Sequence, residues 1–329
     1  MAAGPRRRGL RDGIPSHDVL ARVLAALHPD HSATAFERLV TPLPRRAPAL
    51  ADRHIAIGGE ALRGPKNRAK RMVHSVGARA TNAGVASGQV PTDDKSDEVT
   101  ATPKLPASPD PSGAPATTGA AGCPTGTATR IASEGGDRPL QVEGDRERLH
   151  DDGRVPAEAS VGEGLAGPDV GEGESPERRH GRRESRTCFV IDDPILLKET
   201  IRDVGRRGEL RSVAATVGER EADGVTGAET RCHIGGRRAS AAAFGAAVRR
   251  HRTVENGCHR VLDVAFREDD HRLREGHAAA NLSAVRRTAL SAPERSRAKL
   301  GIEDRRLKAG YDNAFLESLL AEVFKDFDA

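Results

Sequence analysis

The chain of 329 residues is long enough for two average domains, but it has no Trp, one Tyr and seven Phe, so it can bury only a thin core. No apolar run approaches 18 residues, which excludes a membrane span, and the four widely spaced cysteines exclude a disulfide framework or a zinc finger. The net charge of +4 permits nucleic-acid binding without establishing it, and without the apolar segment of a secretory signal we expect a cytoplasmic protein.

Two helices are predicted near the N-terminus. Residues 16–28 place five apolar side chains on one helical face with Ser16 as the N-cap, and residues 33–40 predict a second short helix. Three strands of a small antiparallel meander are predicted next, at residues 54–64, 72–76 and 85–90. We expect the first of these strands to enter a turn at its glycine pair.

The middle of the chain is unsuited to a folded core. Five prolines lie between residues 103 and 115, where each interior proline costs a helix about 3 kcal/mol and also interrupts a central strand. Residues 150–187 are rich in Gly, Glu and Arg, which predicts a solvated linker or a disordered segment. Order is predicted to return near residue 187, and helices are predicted over residues 248–266, 278–290 and 315–324.

The strongest local pattern is a set of four polar residues spaced by four, His251, Glu255, His259 and Asp263. On a helix they project from nearly one face, where they can hold a divalent cation or place a carboxylate in a cleft. The alternative is a solvated helix face, which the spacing alone favours because charge ladders are common on helices. No nucleotide cofactor is predicted, since the GEGLAG sequence at residues 162–167 follows no apolar strand.

Residues 254–290 and their flanks resemble the C-terminal signature of ISAs-type insertion-sequence transposases. That signature reads close to HW-x-IEN-x-LHW-x-LDV-x-F-x-ED-x-x-R, followed by N-L and R-R. The matching positions here are His251, Glu255, Asn256, His259, Leu262, Asp263, Val264, Phe266, Glu268, Asp269, Arg272, Asn281, Leu282, Arg286 and Arg287. Blocks upstream agree in order, among them HIAIGGEALRG at residues 54–64, so that the resemblance covers about residues 14–325.

The resemblance implies a DDE-type enzyme with a ribonuclease-H-like α/β core, which is a mixed sheet with flanking helices, preceded by an N-terminal helical region. In this family two Asp and one Glu bind two divalent ions, usually Mg²⁺, for DNA strand cleavage and transfer. Glu255 matches the family's Glu and is the expected catalytic and metal-binding residue.

The resemblance also divides the chain into five regions, part of which we expect to be disordered. They are an N-terminal helical transposase-associated region at 1–50, the first part of the core at 51–149, a Gly/Glu/Arg-rich linker or insertion at 150–187, the remainder of the core with the glutamate-bearing helix at 188–292, and a C-terminal helix at 293–329.

Two catalytic positions depart from the family. Gly58 stands where the family has its first Asp, and Gly119 stands where it has the second. Arg252 and Arg260 replace the two Trp of the C-terminal signature. All of these changes can arise by single A-to-G or T-to-C mutations, so we interpret the chain as a decayed transposase copy with impaired Mg²⁺ binding.

The expected partner is DNA at insertion-sequence ends, without a membrane, with a homodimer as one possibility and with nucleoid association when DNA is bound. The arginines expected to contact DNA are Arg182, Arg186, Arg249, Arg250, Arg272, Arg286 and Arg287. Our first hypothesis is an inactive family member by descent. The second is an active enzyme in which Glu60, Asp93, Asp94 or another acid substitutes for the lost ligands. The third is a basic, partly disordered DNA-binding remnant with no enzymatic role.

Overall fold

The computed structural model describes most of the C-terminal half of the chain and separate segments of the N-terminal half. The described residues are 15–40, 54–66, 72–80, 85–92, 116–119, 139–142, 170–174, 177–179, 182–200, 210–222, 225–236 and 238–324. The proline cluster, Cys123 and the GEGLAG sequence lie outside these ranges.

The two predicted N-terminal helices are confirmed. Helix α1 spans His17–Ala26 and begins at Ser16, whose hydroxyl accepts a hydrogen bond from the backbone N–H of Val19 at 3.4 Å. Helix α2 spans Pro29–Val40 and therefore begins four residues before the predicted start. The apolar face of α1 is only partly covered, since Leu20 and Val23 are each 48% exposed.

The predicted meander is also confirmed. Strands β1 (Ile55–Lys66), β2 (Met72–Ala80) and β3 (Val85–Thr92) pair antiparallel in sequence order. The expected turn at the glycine pair of β1 is wrong, because Gly58 pairs with Gly77 and Gly59 with Val76. Pairing with β2 keeps β1 extended through two residues that local preference alone would place in a turn.

The sheet continues beyond the meander as a mixed sheet. The next strands are β4 (Ala116–Thr118), β5 (Pro139–Val142), β6 (Val170–Glu174), β7 (Glu177–Arg179), β8 (Arg182–Ile191), β9 (Ser212–Ala222) and β10 (Val225–Gly235). A short helix, α3 (Pro194–Thr200), lies between β8 and β9. The strand order is β3-β2-β1-β4-β5-β10-β9-β8-β6, with β7 also paired to β8. Strand β4 runs parallel to β1 and to β5, and the other pairs are antiparallel.

The prediction of a linker or disordered segment over residues 150–187 is wrong for the strands that the structure describes from residue 170 onward. Strands β6 and β7 and the beginning of β8 fall there, and both β6 and β7 pair with β8. Their main chains are held by ladder hydrogen bonds to a neighbouring strand, so that they need little apolar surface of their own. Composition alone therefore underestimated the order of this segment.

Helices form the layer against this sheet. Helix α4 (Ala241–Val254) continues into a π-helical turn (Glu255–His259) and then into α5 (Arg260–Ala265). The remaining helices are α6 (Ala278–Arg295), α7 (Ile302–Tyr311) and α8 (Asn313–Phe324). The three helices predicted in this part of the chain are confirmed, although α4 begins seven residues earlier than expected and a π turn interrupts the first. No helix within the described ranges has the length and apolar character that a membrane crossing requires.

The core has two main clusters, which α4 and its continuation connect. Near its start, α4 packs Phe244 and Val248 against Cys188 and Val190 of β8. Further along, Val254, Cys258 and Leu262 pack against Ala56 of β1 and Leu290 of α6. The helix that carries Glu255 is thereby fixed across the sheet, from β8 to β1. The α/β class predicted from the sequence is confirmed.

Candidate functional site

Gly58 and Gly119 lie side by side in the middle of the sheet. In the parallel pairing of β1 with β4, Ile57 is the partner of Thr118, and each glycine is the next residue along its strand. The backbone N–H of Gly119 donates to the carbonyl of Ile57 at 3.4 Å. The two positions at which the family has aspartates are therefore neighbours, although 61 residues separate them in the sequence.

Both glycines face the helix that carries Glu255. A Cβ atom at Gly119 would lie 3.8 Å from Nε2 of His251, and a Cβ atom at Gly58 would lie 3.5 Å from Cε1 of His259. His251 and His259 precede and follow Glu255 by four residues. The side chain of Glu255 is outside the described part of the structure, so its approach to the two glycines stays a prediction.

A buried hydrogen-bond network surrounds Gly119. The hydroxyl of Thr117 lies 2.8 Å from Nδ1 of His251 and 3.2 Å from Nε2 of His54. Side chains two residues apart on a strand share a face, which places Thr117 beside Gly119, and His54 beside Ala56 and Gly58. The described polar side chains near Gly58 and Gly119 thus include a hydroxyl and imidazoles.

The imidazoles of this network are held neutral. Burial, with smaller contributions from the nearby His251 and Arg250, lowers the pKa of His54 to about 3. Burial and the nearby Arg252 lower the pKa of His251 to about 4. The pKa of His259 falls to about 3, first through burial and then through the charge of Arg287. His251 is only 3% exposed, so the solvated helix face that the spacing favoured is wrong at this position.

Buried ion pairs flank the same region. Arg79 of β2 forms a buried ion pair with Glu294 of α6, and burial raises the pKa of Glu294. Burial likewise raises the pKa of Glu268, while the neighbouring Arg287 opposes that rise. Glu294 is thereby paired with β2, and Glu268 lies near Arg287 of α6. No group of three or more His, Cys, Asp or Glu side chains in the described ranges could hold a metal ion.

The substitutes named in the second hypothesis are not placed by the structure. The side chain of Glu60 lies outside the described part, as do Asp93 and Asp94 altogether. The three described cysteines, Cys188, Cys232 and Cys258, are buried thiols.

The arginines predicted to contact DNA occupy different environments. Arg249 and Arg272 are exposed, Arg186, Arg250 and Arg286 are half-buried, and the side chain of Arg182 is not described. Arg287 is only 5% exposed and donates to the hydroxyl of Ser283 at 3.5 Å. A phosphate contact needs a guanidinium at the surface, so this placement contradicts the expectation for Arg287, and we remove it from the DNA-contacting set.

Sequence reasoning missed His54 and Thr117. Thr117 lies directly after the proline cluster, in a segment judged unsuitable for folding, and its contact with His251 joins residues 134 positions apart. A signal for His54 was present: counting back in steps of two from Gly58 along β1 leads through Ala56 to His54.

Comparison with known proteins gives a consistent set of relatives. No family model matches the chain. The "H repeat-associated putative transposase YhhI" of Escherichia coli (strain K12) is 32% identical over 320 residues, which cover 94% of this chain and 82% of the relative. The "Putative transposase YncI" of Escherichia coli O157:H7 is 29% identical over 315 residues, with 94% and 79% covered.

A solved structure is also similar at a much lower level. The cryo-EM structure of a piggyBac transposase synaptic complex with hairpin DNA aligns with a TM-score of 0.38 and 7% identity. The alignment covers 81% of this chain and 54% of that chain. A similarity this weak supports no conclusion about the fold.

Proposed function

We propose that this chain, which belongs to the H repeat-associated family of insertion-sequence transposases, is a DDE-type transposase that has lost two of its three catalytic carboxylates. Its place in the cell would be the cytoplasm, at the nucleoid when DNA is bound, and its partner would be the DNA of insertion-sequence ends. The homodimer stays a prediction. The reaction type follows from the family, and the inactivity follows from the residues now at the site.

The sheet supports a ribonuclease-H-like core. Its first five strands stand in the order β3-β2-β1-β4-β5, with an antiparallel meander followed by strands parallel to β1. This is the arrangement expected of a ribonuclease-H-like fold. In the sequence, strands β6 to β10 come between β5 and the glutamate-bearing helix. In the structure they extend the same sheet beyond β5.

The observation that carries the proposal is the position of the two glycines. They are neighbours on parallel strands, and each points its missing side chain toward the helix segment that contains Glu255. The atoms nearest to a Cβ at either glycine are at ordinary van der Waals distances of 3.5 Å and more. A side chain can therefore begin at both positions without a close contact at its Cβ atom.

The residues now present do not fit a pair of Mg²⁺ ions. Mg²⁺ prefers oxygen ligands, mainly carboxylates, phosphates and water. Here the described groups around the glycines are imidazoles and a threonine hydroxyl, and Glu255 alone remains of the three family carboxylates. Loss of two anionic ligands removes several kcal/mol of stabilisation, and each 1.36 kcal/mol is about tenfold in rate.

The test is a strand-cleavage assay on DNA that carries family-type element ends, with Mg²⁺ or Mn²⁺. We expect no detectable cleavage by the unmodified protein or by either single variant, Gly58→Asp or Gly119→Asp, because the carboxylates act as a unit. The double variant is the minimum needed for activity. Arg252 and Arg260 in place of Trp can still limit it.

A binding measurement keeps the test decisive where the double variant does not cleave. Mn²⁺ should raise the Tm of the Gly58→Asp/Gly119→Asp protein, since a ligand that binds only the folded state stabilises it. The matched Gly58→Asn/Gly119→Asn protein has the same side-chain size without the charge and should show no such rise. Equal responses of the two proteins would overturn the proposal. So would metal-dependent cleavage by the unmodified protein that Glu255→Ala abolishes.

The second candidate function is DNA binding without catalysis, and exposed arginine favours it. Arg249 and Arg272 are at the surface, in a chain with a sequence pI near 9.0. Binding to DNA should weaken as salt rises, with a log–log slope near −0.9 for each phosphate neutralised on double-stranded DNA. Affinity that is unchanged between low and high salt would contradict this candidate.

A further inference from the structure

A cleft lies between helix α4 and strands β8, β9 and β10, on a different face of α4 from His251. The polar residues that line it are Arg186, Thr187, Thr216, Glu229, Arg249 and Arg252. Arg249 and Arg252 are three residues apart on α4 and so share one face of that helix. Arg186 reaches the same cleft from β8.

The cleft has more positive than negative charge. Three guanidinium groups line it against one carboxylate, that of Glu229. These groups also contact the protein: Arg186 donates to Glu184 at 2.9 Å, and Glu229 accepts from Arg231 at 3.0 Å. When Glu184 and Arg231 are included, the described charged groups at the cleft are four arginines and two glutamates.

The positive potential extends into the protein interior. Burial, with smaller contributions from the charges of Arg252 and Arg231, lowers the pKa of His233 to about 3. His233 is joined to the cleft through its Nε2, which lies 2.9 Å from the hydroxyl of Thr216. An anion that neutralised the charge of these arginines would therefore change the pKa of the buried His233 beneath the cleft.

The cleft also has room for a ligand. Gly218 lines it, and the nearest atom to a Cβ built there is the carbonyl oxygen of Glu229 at 3.9 Å. Guanidinium groups donate paired hydrogen bonds, and threonine hydroxyls add single donors. A small tetrahedral anion matches this set of donors, whereas an apolar or cationic ligand does not.

We propose that this cleft is a phosphate-binding site, which holds a phosphate group between Arg186, Arg249 and Arg252. The site is separate from the metal positions at Gly58 and Gly119. Its use for a phosphate of a DNA strand rests on the proposed function, and its use for free phosphate does not.

A matched pair of glycine variants tests the site. Gly218→Asp puts a carboxylate into the cleft, whereas Gly227→Asp puts the same charge on exposed strand β10, where a Cβ would have no neighbour within 4 Å. Inorganic phosphate, compared with chloride at equal ionic strength, should raise the Tm of the unmodified protein and of Gly227→Asp. It should not raise the Tm of Gly218→Asp. Equal stabilisation of both variants would overturn the proposal.

Binding of a fluorescent single-stranded DNA then identifies the source of the phosphate. If the site holds a DNA phosphate, Gly218→Asp should weaken binding about tenfold more than Gly227→Asp does, since charge-assisted hydrogen bonds are lost. If only the phosphate-induced Tm rise is lost while both variants bind DNA equally, the site takes free phosphate. These measurements need no catalysis, so they are independent of whether aspartates at positions 58 and 119 restore cleavage.

A second matched pair applies where Gly218→Asp fails to fold. Arg249→Gln removes one cleft guanidinium at the surface, and Arg238→Gln removes an exposed guanidinium just before the same helix. Arg249→Gln should reduce the phosphate-induced Tm rise and Arg238→Gln should leave it unchanged. Identical behaviour of these two variants would also overturn the site.

Discussion

Basic side chains on two faces of helix α4 lie in opposite environments. The face toward β4 carries His251, which is buried, bonded to Thr117 and held neutral. The face toward β8 and β9 carries Arg249 and Arg252, which line an open cleft. An imidazole can release its proton when it is buried, whereas a guanidinium cannot. The buried histidine on the first face is therefore neutral, whereas the arginines on the second face stay charged near solvent and carboxylates.

If the proposed function is right, the same contrast bears on the effect of the two missing aspartates. Carboxylates at positions 58 and 119 would lie beside His259 and His251, where they would offset the positive field of the arginines. With glycines there, the arginine charges act on the histidines without that opposition, and they add to burial in lowering the pKa values. Burial is the largest cause of the lowered pKa values of His251 and His259, and carboxylates at positions 58 and 119 would oppose only the smaller contribution of the arginine charges.

The largest expected effect is on stability at low pH, which should depend on the buried histidines and not on the arginines of the cleft. His54, His233 and His251 have folded-state pKa values of about 3 to 4, below their ordinary 6.5, so the unfolded chain binds protons first as pH falls. Their contribution to stability is present above pH 6.5 and is lost between that value and the folded pKa values. The loss is at most about 4 kcal/mol per pH unit for three such groups, and proton uptake by Glu268 and Glu294 offsets part of it.

Urea unfolding midpoints measured from pH 7.5 downward check this prediction. The variant His251→Gln should lower the slope of stability against pH below 6.5. The matched variant Arg249→Gln on the other face should keep the slope of the unmodified protein, since a guanidinium does not titrate in this range. A free energy of unfolding that stays constant down to pH 4.5 would show that these histidines are not buried neutral.

A carboxylate introduced at position 119 should raise the pKa of His251 and so favour its charged form. In Gly119→Asp the new side chain begins 3.8 Å from Nε2 of His251, and an opposite charge this close favours the imidazolium. We expect the pKa of His251 to rise by about 1–3 pH units, measured by NMR titration of the ring protons. Gly119→Asn is the control and should leave the pKa of His251 near about 4. An unchanged pKa in Gly119→Asp would mean that residue 119 does not face His251.

Local sequence signals predicted the elements that local interactions define. Ser16 caps α1 as its position suggests, and the apolar spacing after residue 248 marks α4 and α5 correctly. The network of His54, Thr117 and His251 could not be predicted in this way. It depends on parallel pairing of β1 with β4, and its hydrogen bonds join residues 63 and 134 positions apart.

The two neighbouring glycines also show that long-range strand pairing could not be predicted from local sequence. The resemblance to the family identified Gly58 and Gly119 as the lost aspartate positions, but only the register of β1 and β4 places them together. Strands β6 and β7 escaped prediction because their order comes from ladder bonds to β8 and not from their own apolar residues.

Helix α4 packs closely against the sheet at Gly245, whereas the π turn that follows it is open at Gly257. Alanine substitutions at these two glycines measure how the difference affects stability. A Cβ at Gly245 would lie 3.2 Å from Cβ of Cys188, closer than ordinary contacts, whereas a Cβ at Gly257 in the π turn would have no neighbour within 4 Å. Gly245→Ala should therefore lower the free energy of unfolding by about 1–3 kcal/mol, because it overpacks the α4–β8 contact. Gly257→Ala should be neutral or raise the free energy of unfolding by up to about 1 kcal/mol, because alanine has the higher helix propensity. Denaturant unfolding of both variants gives the comparison. A Gly245→Ala protein as stable as Gly257→Ala would mean that α4 can move away from β8, and the cleft between them would then not have a fixed width.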